Sequence, residues 1–278
     1  MRVVTFNALT PELADWPRRR EVIAEGLRAL APDLITLQEV GDDIVGLLGP
    51  GWHFAWHSGR DEGVGAVVAS RWPLGAVHEL DQRPAGREVR SAWCATVAAE
   101  VLAPTPLWLV HHKPSWPYGY EAERERQAVA AARFVERLVP DPATTVVLAG
   151  DFDAEPDSAS VRFWTGRQSL DGTSTCYVDA WRAKHPDDAG RTFSPANVLV
   201  RDGDMPAEAG RRIDYVMLRA GIHGPPLAVA DCRRVFTEPV GGVQASDHYG
   251  VFAEFEALPR SPGDLTALRS HKAGSPQS

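Results

Sequence analysis

The chain has 278 residues, enough for one large domain or two small ones. Hydrophobic residues make up 44% of it, so a substantial core can form, yet no apolar stretch approaches the roughly 20 residues that a membrane-spanning helix needs. The formal net charge of −8 and the scarcity of lysine, found only at positions 113, 184 and 272, argue against a broad basic face for duplex DNA, although a local arginine patch stays compatible with them.

The first predicted elements are a strand, a helix and a second strand. Residues 3–6 are β-like from the start and lack the layout of a signal peptide, which predicts a cytoplasmic protein. Residues 18–30 place Ile23, Leu27 and Leu30 on one stripe ahead of Pro32, as in a helix that packs on a core. Residues 34–38 form the next apolar run and predict a strand.

Later segments continue the pattern of strands with one long helix. Residues 121–139 place alanine and valine on one face and charged residues on the other, which predicts the helix. Further strands are predicted at residues 64–70, 92–101, 107–111, 145–149, 213–218 and 250–255. No linker divides these elements, so we predict a single α/β domain over residues 1–257. Residues 258–278, rich in Ser, Pro, Gly and charge, predict a disordered tail.

The cysteines indicate neither a zinc site nor a disulfide framework. Cys94, Cys176 and Cys232 are odd in number, far apart and without a CxxC pair. We interpret them as buried thiols.

Residues suited to metal binding or proton transfer stand at the ends of several predicted strands. Strand ends on one edge of a sheet converge in space, and α/β folds commonly place their sites at that edge. The residues concerned are Asn7, Gln38 and Glu39, His111 and His112, Asp151 and Asp153, Asp214, and Asp247 with His248.

Each of these short motifs also has an ordinary interpretation. Asn7 is a common turn residue, and Glu39 could face water at a strand end. Asp151 and Asp153 share one side of an extended segment, where like charges repel unless a cation, a shared proton or hydrogen-bond donors offset them, but an exposed acidic turn is the alternative. His248 suits proton transfer next to carboxylates, although it could also be a surface residue.

Taken in order, the motifs resemble the endonuclease/exonuclease/phosphatase superfamily. The resemblance spans roughly residues 1–257, and the ordered set is more specific than any one motif. It is carried by Thr5-Phe6-Asn7, Leu37-Gln38-Glu39-Val40, Gly63–Pro73, the His112 region, Arg124–Gln127, Gly150-Asp151-Phe152-Asp153, Arg212-Ile213-Asp214-Tyr215 and Ser246-Asp247-His248. It implies a four-layer sandwich in which two mixed β-sheets pack face to face between outer helices.

The resemblance also implies roles for these residues around a bound Mg²⁺, with Mn²⁺ as the alternative ion. Glu39 would be the principal metal ligand, with Asn7 and Asp247 nearby. Hard oxygen ligands of this kind suit Mg²⁺. Asp151 and Asp153 would position the attacking water or the phosphoryl oxygens. His248 would act as general base or transition-state stabiliser, oriented by Asp214.

A second imidazole is expected at His112, which would bind phosphate or protonate the leaving oxygen and pair with Asp61 or Glu62. His111 fills the same place if the alignment slips by one residue. The chain also departs from the family at Asp153, where Asn is common. An amide can donate a hydrogen bond to a phosphate oxygen, whereas an ionised carboxylate cannot, so the contact made at this position is open.

Several further residues are candidates for substrate binding. Lys113 and Arg167 could contact phosphate. Trp116 and Tyr118 belong to an aromatic loop that could stack on a base or lipid or could cap the core. The segment from Arg191 to Asn197 could bring a substrate-shaping loop to the same face. With Glu62, these residues complete the predicted site.

The leading hypothesis is metal-dependent hydrolysis of a phosphate ester by activated water, as a phosphodiesterase or phosphatase. The expected substrate is a phosphorylated small molecule, a nucleotide or a phospholipid. A DNA or RNA nuclease is the first rival, disfavoured by the acidic charge. A sphingomyelinase-like enzyme would need an exposed apolar hairpin, and an inositol phosphatase a denser basic pocket. A non-catalytic scaffold is the rival from another class.

Overall fold

The computed structural model describes residues 1–58, 63–83, 93–99 and 107–258, the third range for its backbone alone. Apart from Leu258, the predicted tail lies outside these residues, as do both ends of the strand predicted at residues 92–101. No helix within the described ranges is long and apolar enough to cross a bilayer.

Twelve strands and six helices make up the described chain. In order they are β1 (Arg2–Asn7), α1 (Trp16–Leu30), β2 (Leu34–Gly41), α2 (Asp43–Leu47), β3 (His53–Trp56), β4 (Val64–Ser70), β5 (Leu74–Asp81), β6 (Trp93–Ala99), β7 (Leu107–Lys113), α3 (Glu121–Leu138), β8 (Val146–Asp151), α4 (Ala159–Trp164), β9 (Tyr177–Asp179), α5 (Ala180–Lys184), α6 (Val198–Arg201), β10 (Asp214–Arg219), β11 (Leu227–Val235) and β12 (Gly250–Ala257).

These strands form two mixed sheets of six. The first has the order β11-β12-β1-β2-β4-β3 and the second β5-β6-β7-β8-β10-β9. Each sheet holds one parallel pair, β1 with β2 and β7 with β8, and all other pairs are antiparallel. Helices α1 and α3 are the crossovers of the two parallel pairs, as parallel strands require. The two halves of the fold are therefore built alike.

The strands bury both faces because each sheet lies between its partner sheet and a layer of helices. In β8, Val147 and Ala149 pack between the sheets, whereas Val146 and Leu148 pack with α3 and α4. Helices α1 and α2 cover the outer face of the first sheet. The layers are thus helix, sheet, sheet, helix. This confirms the predicted sandwich, and it explains why the strands read as continuous apolar runs.

Gly150 allows β7 and β8 to approach closely just before the end of β8. Its φ is +155°, and a β-carbon there would lie 1.9 Å from the carbonyl oxygen of His112. Any other residue would force the two strands apart. This glycine therefore fixes the position of the next residue, Asp151, beside the end of β7.

Candidate active site

The two sheets bring their polar strand ends to one edge of the molecule. Asn7, Lys113 and Asp151 are the last residues of β1, β7 and β8, and Asp214 is the first residue of the antiparallel β10. Asp214 lies opposite Asp151 in the ladder. His248 comes two residues before β12. Residues far apart in the chain therefore share one edge because of the strand directions.

Glu39 is directed by a β-bulge in β2. The register between β2 and β4 shifts between Leu37 and Val40, and Glu39 has a φ of +57°. A left-handed backbone at a residue with a β-carbon costs about 1–2 kcal/mol. Bulges of this kind re-aim side chains near functional sites. The Glu39 side chain lines the cleft and remains 38% exposed, so its carboxylate is accessible from solvent.

Three carboxylates converge on the buried ammonium of Lys113. Its Nζ lies 2.6 Å from Oδ2 of Asp151, contacts Oδ2 of Asp153, and lies 4.0 Å from Oε1 of Glu39. The side-chain amide of Asn7 donates to Oε1 of Glu39 at 2.9 Å and to Oδ2 of Asp151 at 3.0 Å. Two kinds of donor therefore hold these carboxylates together.

This cluster separates the pKa values of its two aspartates. Burial opposes the ionisation of Asp151, but Lys113 and His248 outweigh it and hold the Asp151 pKa below its ordinary value. Burial and the charge of Asp151 raise the Asp153 pKa to about 7. Burial also opposes the charge of Lys113, but the carboxylates prevail and raise its pKa. Two neighbouring carboxyl groups, one with a lowered and one with a raised pKa, thus lie side by side, a combination typical of functional sites.

His248 is held by a buried carboxylate. Its Nδ1 lies 2.9 Å from Oδ2 of Asp214, and its Nε2 lies 3.9 Å from Oδ2 of Asp151. Burial disfavours the charged imidazole, but Asp214 and Asp151 outweigh it and raise the His248 pKa to about 10. Burial also raises the pKa of Asp214 itself. The geometry therefore leaves Nε2 as the nitrogen that faces the cleft.

A loop before β10 fixes this pair and the neighbouring Asp247. The Thr192 hydroxyl accepts hydrogen bonds from the backbone amides of Ile213 and Asp214, at 3.1 and 3.2 Å. The Phe193 ring lies against His248, with ring centroids 5.0 Å apart. The Asn197 amide donates to the backbone carbonyls of Ser246 and Asp247. The predicted loop from Arg191 to Asn197 thus lies at the site.

Ser246 connects Asp247 to the end of β1. Its hydroxyl lies 2.7 Å from the backbone carbonyl of Asn7 and 3.0 Å from Oδ1 of Asp247. Asp247 is half-buried and lines the cleft together with Asn7 and Glu39. The three residues predicted to bind metal therefore lie on one side of it.

The cleft has a volume of about 440 Å³, within the usual range for small-molecule sites. The apolar lining of the cleft includes Trp116, Phe193 and Met205, of which Phe193 and Met205 pack in one cluster. The polar lining includes Asn7, Glu39, Lys113, Asp151, Asp153, Arg211, Asp247 and His248. Aromatic and carboxylate side chains thus border a common space.

Neither predicted second histidine lines this cleft, so that expectation needs correction. The His112 ring packs against Phe152 and Trp164 on the helix side of the second sheet, where burial lowers its pKa to about 3. His111 lies on the opposite face, with its Nε2 2.7 Å from the Gln38 amide. Because side chains alternate along β7, one imidazole faces the other sheet and the next faces the helices. Neither reaches the cleft, which lies at the end of the strand. The residue of β7 that enters the cleft is Lys113.

The remaining candidates lie in different places. Trp116 lines the cleft and is 44% exposed. Tyr118 lies outside the lining residues, where its hydroxyl donates to Glu208 and its ring lies 4.3 Å from the Arg211 guanidinium. Arg167 lines a separate pocket. Glu62 and Asp61 lie outside the described residues, so their predicted pairing with His112 stays untested.

Several residues that shape the site have no individual role predicted from the sequence. Thr192, Asn197 and Ser246 belong to the predicted segments Arg191–Asn197 and Ser246-Asp247-His248. They act through hydrogen bonds to the backbone or to one catalytic candidate, and such residues carry no charge pattern. Lys113 was expected to contact phosphate, but nothing in the sequence showed that two aspartates would surround it.

The sequence of the chain also matches a known protein family. Residues 4–248 match the model of the Endonuclease/Exonuclease/phosphatase family. The chain belongs to this family. The name of the endonuclease/exonuclease/phosphatase family describes enzymes that hydrolyse phosphate esters, and the matched range includes every strand end that contributes to the cleft. No curated relative matches the chain at the level of sequence.

Solved structures support the fold assignment to the endonuclease/exonuclease/phosphatase family. TDP2 from C. elegans has a TM-score of 0.74 at 16% identity, with 92% of this chain and 75% of that chain covered. D. rerio TDP2 complexed with a single-strand DNA product has a TM-score of 0.73 at 18% identity, covering 92% and 99%. The human Nocturnin catalytic domain with bound sulfate gives 0.68 at 17% identity, covering 93% and 94%. Identities this low establish the fold alone.

The residues of the cleft fit a divalent cation. Among the described residues, the carboxylates that line the cleft are those of Glu39, Asp151, Asp153, Asp204 and Asp247, and Asp214 bonds to His248. The cations of the lining are Lys113, which pairs with Asp151, His248, and Arg211, which is already paired with Glu208. This excess of negative charge would repel a phosphate without a further cation. One oxygen each of Asp151 and Asp214 and one nitrogen of His248 lie within 4.8 Å of one another. Because Asp214 already engages Nδ1 of His248, Glu39 and Asp247 are the better candidate ligands.

Proposed function

We propose that this chain hydrolyses a phosphate ester with the help of a divalent cation, Mg²⁺ in the first instance and Mn²⁺ as the alternative. The observation that carries the proposal is the orientation of His248. Its Nδ1 bonds to buried Asp214, while its Nε2 faces Asp151 across a carboxylate-rich cleft. An imidazole held in this way by a carboxylate is a recurrent device of hydrolases.

Glu39 and Asp247, with the amide of Asn7 beside them, would hold the cation. When bound, the cation would neutralise charge on the phosphate and polarise the P–O bond. His248, charged in the presence of its carboxylate neighbours, would donate from Nε2 to a phosphoryl oxygen. Asp151 would orient the attacking water and accept its proton as the P–O bond to the leaving group breaks, and the leaving oxygen would take up a proton from solvent. Asp214 would hold the imidazole in place.

Lys113 and Asp153 together would replace the amide donor that the family commonly has at position 153. An ionised Asp153 cannot donate a hydrogen bond. The Lys113 ammonium, which Asp153 and Asp151 hold in the cleft, can donate to a phosphoryl oxygen instead. This would explain why the chain has Asp153 where the family commonly has Asn.

The apolar lining favours a substrate whose phosphate is attached to a flat or apolar group. Within the described ranges, the basic side chains of the lining besides His248 are Lys113 and Arg211, and both pair with carboxylates, which makes an inositol polyphosphate a poor fit to the cleft. A nucleotide is the proposed substrate class, because aromatic side chains stack on bases. Nucleic acid remains the rival class, and the single-strand DNA product of D. rerio TDP2 is a further reason to test it.

The test is a metal-titrated assay with bis(p-nitrophenyl) phosphate and p-nitrophenyl phosphate, followed by nucleotides and oligonucleotides. We expect metal-dependent turnover by the wild type and a loss of about 100-fold or more in His248→Ala, typical of removing a donor that stabilises charge in the transition state. His223→Ala is the matched control, because His223 is an exposed histidine in a turn. If the wild type matches His248→Ala with every substrate, the chain is a non-catalytic scaffold.

A further inference from the structure

A second pocket outside the cleft gathers three arginines. It has a volume of about 320 Å³ and is lined by Pro156, Asp157, Arg162, Arg167 and Arg182. Arg162 belongs to α4, Arg167 follows that helix, and Arg182 belongs to α5. Two separate segments of the chain therefore direct positive side chains to one place.

The end of α4 forces two of these arginines together. The backbone amide of Arg167 donates to the carbonyl of Arg162 at 2.8 Å, and that of Gly166 donates to Phe163 at 3.1 Å. This pair of bonds is the Schellman motif, and Gly166 supplies its left-handed residue with a φ of +73°. A β-carbon at Gly166 would lie 2.9 Å from Sγ of Cys176, so the turn is closely packed.

The Schellman motif usually places an apolar pair where this chain has two arginines. Its first and last residues contact each other, and the contact is frequently hydrophobic. Here they are Arg162 and Arg167, and both line the same pocket, so like charges lie close together. The negative end of the helix dipole favours one basic residue at this place. The same holds for Arg182 in the last turn of α5, but helix dipoles do not account for three arginines that line one pocket.

None of the three guanidinium groups has a carboxylate within 4.0 Å among the described residues, not even Asp157 in the same pocket. Arginines elsewhere on the surface do have such partners: Arg133 pairs with Asp171, and Arg201 pairs with Asp202. Three neighbouring cations without a counter-ion repel one another. A bound anion with several oxygens would relieve this repulsion and accept their N–H groups.

The pocket borders the same short loop as the cleft. Asp157 follows Asp153 by four residues, so their α-carbons are at most about 14 Å apart, the length of four extended residues. Asp153 lines the cleft and Asp157 lines the arginine pocket. An extended substrate could therefore reach from one to the other.

We propose that Arg162, Arg167 and Arg182 form an anion site for a phosphoryl group, and that this group is a second phosphate of the substrate, distinct from the one hydrolysed. The second half of the proposal rests on the proposed function, and it narrows the substrate to esters with at least two phosphoryl groups. Guanidinium forks suit phosphate oxygens, and their exposure makes the binding sensitive to salt.

Binding is tested with pyrophosphate, titrated calorimetrically into protein treated with EDTA. We expect Arg162→Ala/Arg167→Ala and Arg182→Ala each to weaken the affinity about tenfold or more. Arg137→Ala is the matched control, because Arg137 is also an exposed arginine in the last turn of a helix without a described carboxylate partner. Equal affinity in all four proteins would overturn the anion site. The measurement needs no turnover, so it decides on the pocket independently of the proposed activity.

Kinetics then distinguish a substrate phosphate from a free anion. The substrates are bis(p-nitrophenyl) phosphate, which has one phosphoryl group, and two sets with at least two, namely nucleoside 3′,5′-bisphosphates and 5′-phosphorylated oligonucleotides of two to six residues. We expect Arg182→Ala to lower kcat/KM for the better substrate of these two sets about fivefold more than for the small diester, mainly through KM. If pyrophosphate binding falls while this ratio does not change, the pocket takes a free anion, and the assignment to the substrate is wrong.

Discussion

The Nζ atom of Lys113 lies 2.6 Å from Oδ2 of Asp151, and both side chains are buried at the base of the cleft. A buried ion pair is stable only while its partners are all present, because an unpaired buried charge keeps its full desolvation cost. Asp153 shares the same ammonium. Lys113 thus supplies a buried cation within a group of carboxylates.

Replacing Lys113 by methionine should therefore destabilise the protein. We expect a loss of about 3 kcal/mol in the free energy of unfolding, measured by urea denaturation in EDTA, because two carboxylates lose their partner. Adding Asp153→Asn should restore about 1 kcal/mol, because without Lys113 the buried Asp153 must either keep an uncompensated charge or take up a proton, and an amide needs neither. Lys184→Met, on the exposed side of α5, serves as the control with little change. Additive effects of the two substitutions would argue against coupling of Lys113 with Asp153.

Removal of the carboxylate from Asp214 should affect turnover more than folding. In Asp214→Asn we expect kcat to fall by about 10² to 10⁴, as for other histidines that lose an orienting aspartate. The pKa of His248, raised to about 10 by its carboxylates, should fall, because Asp214 is the foremost carboxylate that raises it. NMR titration of the imidazole in EDTA measures this change directly.

Asp202→Asn, at an exposed residue paired with Arg201, is the control for that experiment. A near-normal kcat in Asp214→Asn, together with an unchanged His248 pKa, would contradict the proposed pairing. If the His248 pKa falls while kcat stays normal, Asp214 stabilises the charged imidazole but is not needed for turnover.

Much of this architecture was readable from the sequence, because long apolar runs dominate it. The strand predicted at residues 64–70 matches β4 exactly in its bounds, and the helix predicted at residues 121–139 matches α3 to within one residue. β3, β5, β9 and β11 were not predicted. β5 and β11 are only partly buried, so their sequences do not show a continuous apolar pattern.

At the site, too, some structural features leave no pattern in the sequence. Spacing indicated which residues stand at strand ends but not the direction of each side chain. The resemblance implies His112 as a second imidazole of the site, yet β7 continues to Lys113 and the His112 ring packs on the helix side of the sheet. The bulge that re-aims Glu39 also has no sequence pattern of its own. Both features are set by pairing with neighbouring strands.

The backbone at Glu39 leads to a prediction in which stability and metal binding change in opposite directions. Glu39→Gly should raise the free energy of unfolding by up to about 1 kcal/mol in EDTA, because glycine adopts a positive φ without steric cost. The same change should weaken Mg²⁺ affinity, measured by calorimetry, since it removes a proposed ligand. Glu39→Gln separates the two effects, because it retains the strain and loses only the charge. Unaltered Mg²⁺ affinity in both variants would exclude Glu39 from the metal site.

The buried imidazoles of His57 and His112 predict that acid destabilises the fold. Burial lowers the His57 pKa to about 4 and the His112 pKa to about 3. Their ordinary pKa is about 6.5, so between pH 6.5 and 4 the unfolded chain binds protons that the folded chain does not, and stability falls as the pH falls. Each histidine should lower the free energy of unfolding by roughly 2 kcal/mol as the pH falls from 6.5 to 4.5.

The measurement compares His112→Phe with the wild type by urea denaturation at pH 6.5 and pH 4.5. Phenylalanine can occupy the place of the imidazole against Phe152 and Trp164 but cannot take up a proton. The variant should therefore lose about 2 kcal/mol less than the wild type over this range. Asp153, whose raised pKa acts with the opposite sign in the same window, is common to both proteins and cancels in the difference. Equal losses in the two proteins would show that His112 is not held neutral by the fold.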